Sequence, residues 1–459
     1  MVKPGLSTDR IGTDSIGKLL IDFSIPAIIG TLVNAIYNIV DRIYIGQSIG
    51  ALGIAGIGVV MPIMMIIQSL SILIGHGANS LFSIRMGEGK SDEVEKIMGH
   101  AFALLFLIPA FCIVSCMIFM EPILRDIIKV SDQIYFYAES YLRIILYGSI
   151  FGAMSPGLTH FIRSDGHPKT SMLVQIVGAA SNIILDPIFI FVFKLGVAGA
   201  AWATIISQFI SFVFVMSYFS SKWTRLRFRI KNMKLNIKLT GKIIAIGFSS
   251  FIMQFSMSLV GILQNAVIIK YGGDDALAAM TIFFSLMVVI IMPLHGIGMG
   301  AQPIIGYNYG AKQYDRVKLC FRKALFACTC LLTFGFAVAQ IVPGFCFSLF
   351  SRDTGSLRRL GILVIRICTS MFPIIGIQMM GGQFFQAIGK PVQGGILSLS
   401  RQLMFFIPAL LFLPVLFGVI GLPQIYGVYC AFPVSDICSV TISGIFIKRE
   451  FNSWKIKGT

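Results

Sequence analysis

The run SNIILDPIFIF at residues 181–191 carries one carboxylate, Asp186, inside an otherwise oily stretch, with Asn182 four residues before it. Spaced by four, the two share a face if the segment is helical. A charge left unpaired at a bilayer centre costs at least ~3 kcal/mol, so a carboxylate there needs a partner or a use. A second acid, Asp41, lies in YNIVDRIYIG, and Tyr141 and Thr204 could bring hydroxyls to the same place. Two carboxylates held close in low dielectric cannot both stay ionised. The pair would hold a proton near neutral pH, or a sodium ion if enough oxygens converge. The competing reading is structural: Asp186 caps the kink expected at Pro187, and Asp41, next to Arg42, sits at the interface.

Those residues need elements that hold them in oil, and the composition supplies them. Of 459 residues, 56% are hydrophobic and 12% charged, against roughly 25% charged in soluble domains. No Asp, Glu, Lys or Arg occurs between Arg42 and Arg85, or between Asp275 and Lys312. With about 20 apolar residues needed per crossing, the chain reads as an all-α polytopic membrane protein. Twelve spans are expected, at roughly 18–45, 51–80, 97–120, 133–161, 170–193, 197–220, 240–269, 276–306, 321–345, 360–386, 393–419 and 425–448. The polar start MVKPGLSTDRIGTDSIGK argues against a cleavable signal peptide.

The net charge is +17, and most of the 37 Lys and Arg fall on one side of this arrangement. By the positive-inside rule both termini are then cytoplasmic. The basic surplus is an orientation signal and an attraction for anionic lipid, so nucleic acid is not an expected partner. The nine cysteines form no CxxC pair and read as reduced, apolar packing residues.

The chain also repeats itself. GHGANSLFSIRMGEGKSDEV at 75–94 is answered by GMGAQPIIGYNYGAKQYDRV at 298–317, and Gly166 and Pro168 recur at the same offset as Gly389 and Pro391. The densest basic segment, 221–239, lies between the copies. We expect an N-terminal six-helix lobe (1–220), a basic cytoplasmic linker (221–239) and a C-terminal six-helix lobe (240–459). An even number of spans per copy makes the repeat parallel, with a pseudo-two-fold axis along the membrane normal. Such paired bundles commonly enclose a cavity with alternating access.

DRIYIG after span one, GxGA(N/Q) in spans two and eight, FIRSDGHP after span four and SNIILDPIFIF together resemble the multidrug and toxic compound extrusion (MATE) family, in its MepA-like branch. The resemblance covers essentially the whole chain. It implies a V-shaped pair of lobes that export cationic, amphipathic compounds in exchange for H⁺ or Na⁺. It also implies a coupling site in the first lobe made by Asp41, Tyr141, Asn182, Asp186 and Thr204. Some members hold a sodium site in the second lobe through acids on spans seven and ten. Here those regions offer Gln254 and Gln378 and no carboxylate, which moves coupling to the first lobe.

Other residues admit two readings. Asp436 in AFPVSDICS could draw a cation into a central cavity, or pair with Arg366 or Arg401. Met287 and Met292, with the other methionines of spans eight and ten, suit a promiscuous pocket, although lipid-facing helices use Met as freely. Glu139 is expected to pair with Arg143. His160 either titrates in a cavity or is a hydrogen-bonded structural histidine.

The expected function is secondary-active efflux by a monomer in a bacterial inner membrane. Small cationic amphiphiles and lipids are its partners, and H⁺, or Na⁺, is the coupling ion. No cofactor or resident metal is expected. Alternatives are a lipid-linked oligosaccharide flippase and a membrane-embedded enzyme. The sequence carries no HExxH, GxSxG or P-loop to support the last.

Overall fold

The computed structural model describes residues 6–49, 51–128, 130–221, 224, 229–351 and 353–457. Within them the chain is helical, with no strand among the described residues. After a short helix at Leu6–Thr13 come α1 (Ile16–Ile49), α2 (Ala51–Gly87), α3 (Ser91–Ile118) and α4 (Asp132–Ser164). Next are α5 (Pro168–Pro187, continuing through a π-wound turn at Ile188–Val192) and α6 (Gly196–Ser220). The second half opens with the run Ile237–Gly310, which Gly273 breaks into α7 (237–272) and α8 (274–310). There follow α9 (Tyr314–Ile341), α10 (Ser356–Cys368 and Phe372–Ala387), α11 (Pro391–Leu399 to Ile407–Val419) and α12 (Gln424–Lys457). The expected twelve spans are all present. Of the expected linker, residues 222, 223 and 225–228 lie outside the described residues.

Three departures from uniform rods have local causes. Gly273 adopts φ 67° and ψ −163°, a conformation essentially reserved for glycine, so the chain can reverse there. Pro187 has no N–H to donate, and past it α5 continues as a π turn. In α10 the two halves bend by 58° ahead of Pro373. Gln340 Nε2 from α9 donates to the Arg366 carbonyl and to Thr369 Oγ1, at 2.8 and 3.1 Å. That amide supplies a partner at the break, the condition for broken helices at membrane depth. The span expected over roughly 360–386 is therefore one broken helix of two segments.

α12 runs past its expected end at 448 because its tail is held. Trp454 stacks on Tyr314 at 5.0 Å, and its indole N–H donates to Glu450 Oε1 at 2.8 Å. Lys390 Nζ, at the start of α11, donates to the other carboxylate oxygen at 2.5 Å. Phe111, Ile118, Phe326, Phe334 and Val419 lie exposed around the outside, as lipid-facing side chains do.

In lipid no hydrophobic force draws one helix to another, so close approach depends on small residues. The repeated glycines serve this purpose at the end of the molecule that carries the chain termini. A Cβ on Gly87 of α2 would strike the Tyr307 carbonyl oxygen of α8, and one on Gly310 of α8 would strike that of Ile84 of α2. Gly77 meets the backbone of α7 at Ile243 and Gly247, while its counterpart Gly300 meets that of α1 at Ser24. The seam is thus built twice, related by the internal pseudo-two-fold. Polar bonds reinforce it: Gln302 Nε2 donates to Ser80 Oγ at 3.0 Å. Arg316 Nη2 donates to the carbonyls of Ile11 and Asp14 at 3.0 and 2.8 Å. At the opposite end Ile36, Ile39 and Ile43 of α1 and Phe255, Leu259 and Ile262 of α7 are exposed.

Replacing Gly310 by valine should part the lobes at the terminal end. Spin labels at Asp92 and Asp315 should separate by several ångström, whereas Gly444→Val, with nothing near its added Cβ, should leave the distance unchanged.

Candidate functional site

Helical spacing on α5 sets Asn182 and Asp186 on one buried face, 2% and 0% exposed. Asn182 Nδ2 donates to Asp186 Oδ1 at 3.3 Å. The second carboxylate oxygen of Asp186 and the amide oxygen of Asn182 are buried without a hydrogen-bond partner. Asp41 of α1 lies within electrostatic reach of Asp186. Tyr37 of α1 and Tyr141 of α4 lie within reach of both acids. Carboxylate, amide and hydroxyl oxygens are what a proton or a hard cation accepts. The unspent oxygens of Asp186 and Asn182 fit a group of that kind.

Below this cluster a cavity of about 330 Å³ lies among the helices of the first lobe, with Met299 of α8 also in its wall. Asn34, Tyr37 and Asn38 of α1, Asn182 of α5 and Thr204 of α6 line its outer part. Ser155, Thr159, His160 and Arg163 of α4, with Gln175 of α5 and Ser211 of α6, line it toward the terminal end. Asn34 Nδ2 donates to Gln175 Oε1 at 2.9 Å, bridging α1 to α5. Of the expected coupling residues, Asn182 and Thr204 line the cavity. Tyr141 is buried in the outer core of this lobe, and Asp186 stands one helical turn beyond Asn182.

The five candidates from the second half lie apart from this cavity. Asp436, 1% exposed, accepts from Arg401 Nε at 2.7 Å, the pairing alternative for this residue. Gln378 is buried and donates to the Leu397 carbonyl at 3.3 Å. Met287 belongs to the core of the second lobe. Met292 accepts through its backbone carbonyl from Thr31 Oγ1 at 3.2 Å, and Gln254 is half-buried on α7. Glu139 accepts from Arg143 at 2.6 Å, as the i,i+4 spacing requires.

Sequence reasoning passed over Tyr37, Asn34, Asn38 and Gln175. Tyr37 precedes Asp41 by four residues on the same helix, so its spacing was a usable signal. Gln175 had none, because its role depends on how α1 meets α5.

The MatE family model matches the chain twice, over residues 26–188 and 249–416. The chain belongs to the MatE family. The two matched stretches fall one in each half, in keeping with the internal repeat. Among curated relatives, this MATE chain is 28% identical over 410 residues to the multidrug export protein MepA of Staphylococcus haemolyticus, with 89% of each chain covered. It is 27% identical over 407 residues to MepA of Staphylococcus aureus, with 88% of each covered. Its fold matches a MOP-superfamily transporter from Pyrococcus furiosus with a TM-score of 0.89 at 21% identity, covering 98% of both chains. An outward-facing multidrug resistance MATE transporter matches equally well, at 0.89 and 21% identity over 98% of this chain and 99% of that one.

Asp436→Asn would strand the Arg401 guanidinium in the second lobe. It should destabilise the protein by about 3 kcal/mol, read by thermal unfolding in detergent. Most of that should return in the Asp436→Asn/Arg401→Gln double variant.

Proposed function

We propose that this MATE-family protein is a secondary-active multidrug efflux antiporter. It exports cationic, amphipathic compounds in exchange for protons, with Na⁺ as the alternative ion, by alternating access in a bacterial plasma membrane. Both termini are read as cytoplasmic, from the one-sided distribution of Lys and Arg. The observation that carries the reading is the buried pair Asn182 and Asp186, with unspent oxygens and Asp41 within electrostatic reach, at the head of a polar cavity lined mainly by the first lobe. The names of the staphylococcal relatives support export of multiple drugs.

In this reading the glycine seam holds the cytoplasmic end shut while the outer ends of the lobes stand apart. A proton arriving from outside neutralises the acid pair, removing the charge that favours a cation in the cavity below. Substrate and proton then oppose each other's binding equally, as linkage demands. Tyr37 and Asn38, one turn or less from Asp41 on α1, carry that change into the cavity wall. The methionines and aromatic rings supply adaptable apolar contact.

Tetraphenylphosphonium, whose charge does not titrate, tests the coupling. Its affinity for the reconstituted protein should rise with pH as the acid pair loses its proton. Asp41→Asn and Asp186→Asn should each flatten that slope and weaken binding at high pH by about tenfold. Unchanged slopes in both variants would overturn the mechanism. In proteoliposomes, export driven by an imposed sodium gradient and not by a pH gradient would replace H⁺ by Na⁺. Response to neither gradient would favour a flippase.

A further inference from the structure

The proposed cycle leaves Arg163 unused, and the fold leaves it uncompensated. It stands in the last turn of α4, 2% exposed, at the terminal end of the first-lobe cavity. Its guanidinium donates through Nη2 to Ser171 Oγ, a neutral group, at 3.1 Å, and its Nε has no partner. Asp165, two residues on, accepts instead from the Tyr218 hydroxyl at 2.7 Å and from Thr224 at 2.9 Å. No Asp or Glu is among the described residues lining the cavity. Arginine stays charged at any physiological pH, and a buried charge without a counter-charge is strongly disfavoured. A retained, unmatched guanidinium facing a cavity therefore calls for an anion delivered from that cavity.

The neighbours are suited to one. His160, three residues before Arg163, lines the same cavity, and its Nδ1 has no partner. Its ring packs edge-on against His76 at 4.6 Å, and His76 in turn hydrogen-bonds Ser250 Oγ of α7 at 3.3 Å. Thr159, Gln175 and Ser211 add further hydrogen-bonding groups to that part of the wall. The acid cluster stands at the other end. Asn182 lies roughly 16 Å along α5 from Ser171 by helical rise.

We infer that Arg163 and His160 form an anion subsite that takes a carboxylate-sized group, so that the cavity favours zwitterionic amphiphiles over purely cationic ones. The inference rests on the efflux reading for the nature of its ligand. The anion has two sources: a carboxylate carried by the exported compound, or a free small anion that enters beside a plain cation.

Rhodamine B, which carries a cationic ring system and a carboxylate, and its ethyl ester, which lacks the free carboxylate, separate these cases. Binding to nanodisc-reconstituted protein is read by fluorescence anisotropy at constant ionic strength, without chloride or acetate. The wild type should bind rhodamine B about tenfold more tightly than the ester. Arg163→Gln should bring the two dyes to one affinity, and the milder His160→Gln should narrow the gap several-fold.

If the two dyes bind the wild type equally, but added chloride or acetate tightens the ester in the wild type and not in Arg163→Gln, the subsite stands and a free ion fills it. Equal affinities that neither anion alters would overturn the subsite. Gradient-driven export of both dyes in that case would leave the efflux reading intact. If neither dye is bound or exported, both readings fall together.

Discussion

Hydrocarbon does not solvate charge, and that constraint organises the whole molecule. Each charged or strongly polar group at membrane depth must be met from within the protein or serve a ligand. Most are met. Asp436 has Arg401, and the broken span at Cys368–Phe372 has Gln340. Four groups left short of partners lie along one cavity: the free oxygens of Asp186 and Asn182 near its head, His160 Nδ1 and Arg163 Nε toward its base.

The two lobes share a backbone plan and differ in how they use it. The glycine seam is repeated across the pseudo-two-fold because both copies must bring backbone against backbone at one end. The cavity is not repeated. At the offset that relates the seam glycines, Asp41 corresponds to Gln264 and Arg163 to Gln386. Gln386 Nε2 donates to Ser250 Oγ at 2.6 Å within the second lobe, so a position that is charged in one lobe becomes an amide joining two helices in the other. The repeat supplies the frame, and amides stand in the second lobe where Asp41 and Arg163 stand in the first.

The packing is asymmetric as well. The second lobe packs a large continuous core that includes the aromatic cluster of Phe321, Phe384, Phe385 and Trp454. The first lobe divides its core into an outer and a terminal cluster, leaving polar space beside them. His76 connects the two arrangements: its ring touches His160 on the cavity side and its Nδ1 reaches Ser250 on the seam. A change of charge in the cavity is therefore one side chain away from the contact that holds the lobes together.

Spans, repeat and the presence of an acid within an apolar span were legible because each is written in local terms. Twenty-residue apolar runs, a constant offset and a carboxylate in an oily segment do not depend on what folds against them. Helix spacing alone joined Asn182 to Asp186 and Glu139 to Arg143. Breaks were less legible: Pro373 hinted at the bend in α10, but its stability depends on Gln340 from another helix. The sequence by itself determined that charge would be kept in oil on the first half. Only the tertiary structure decided which charges are neutralised, because a counter-charge such as Arg401 for Asp436, or its absence for Arg163, is a fact about distance between helices and not about order along the chain.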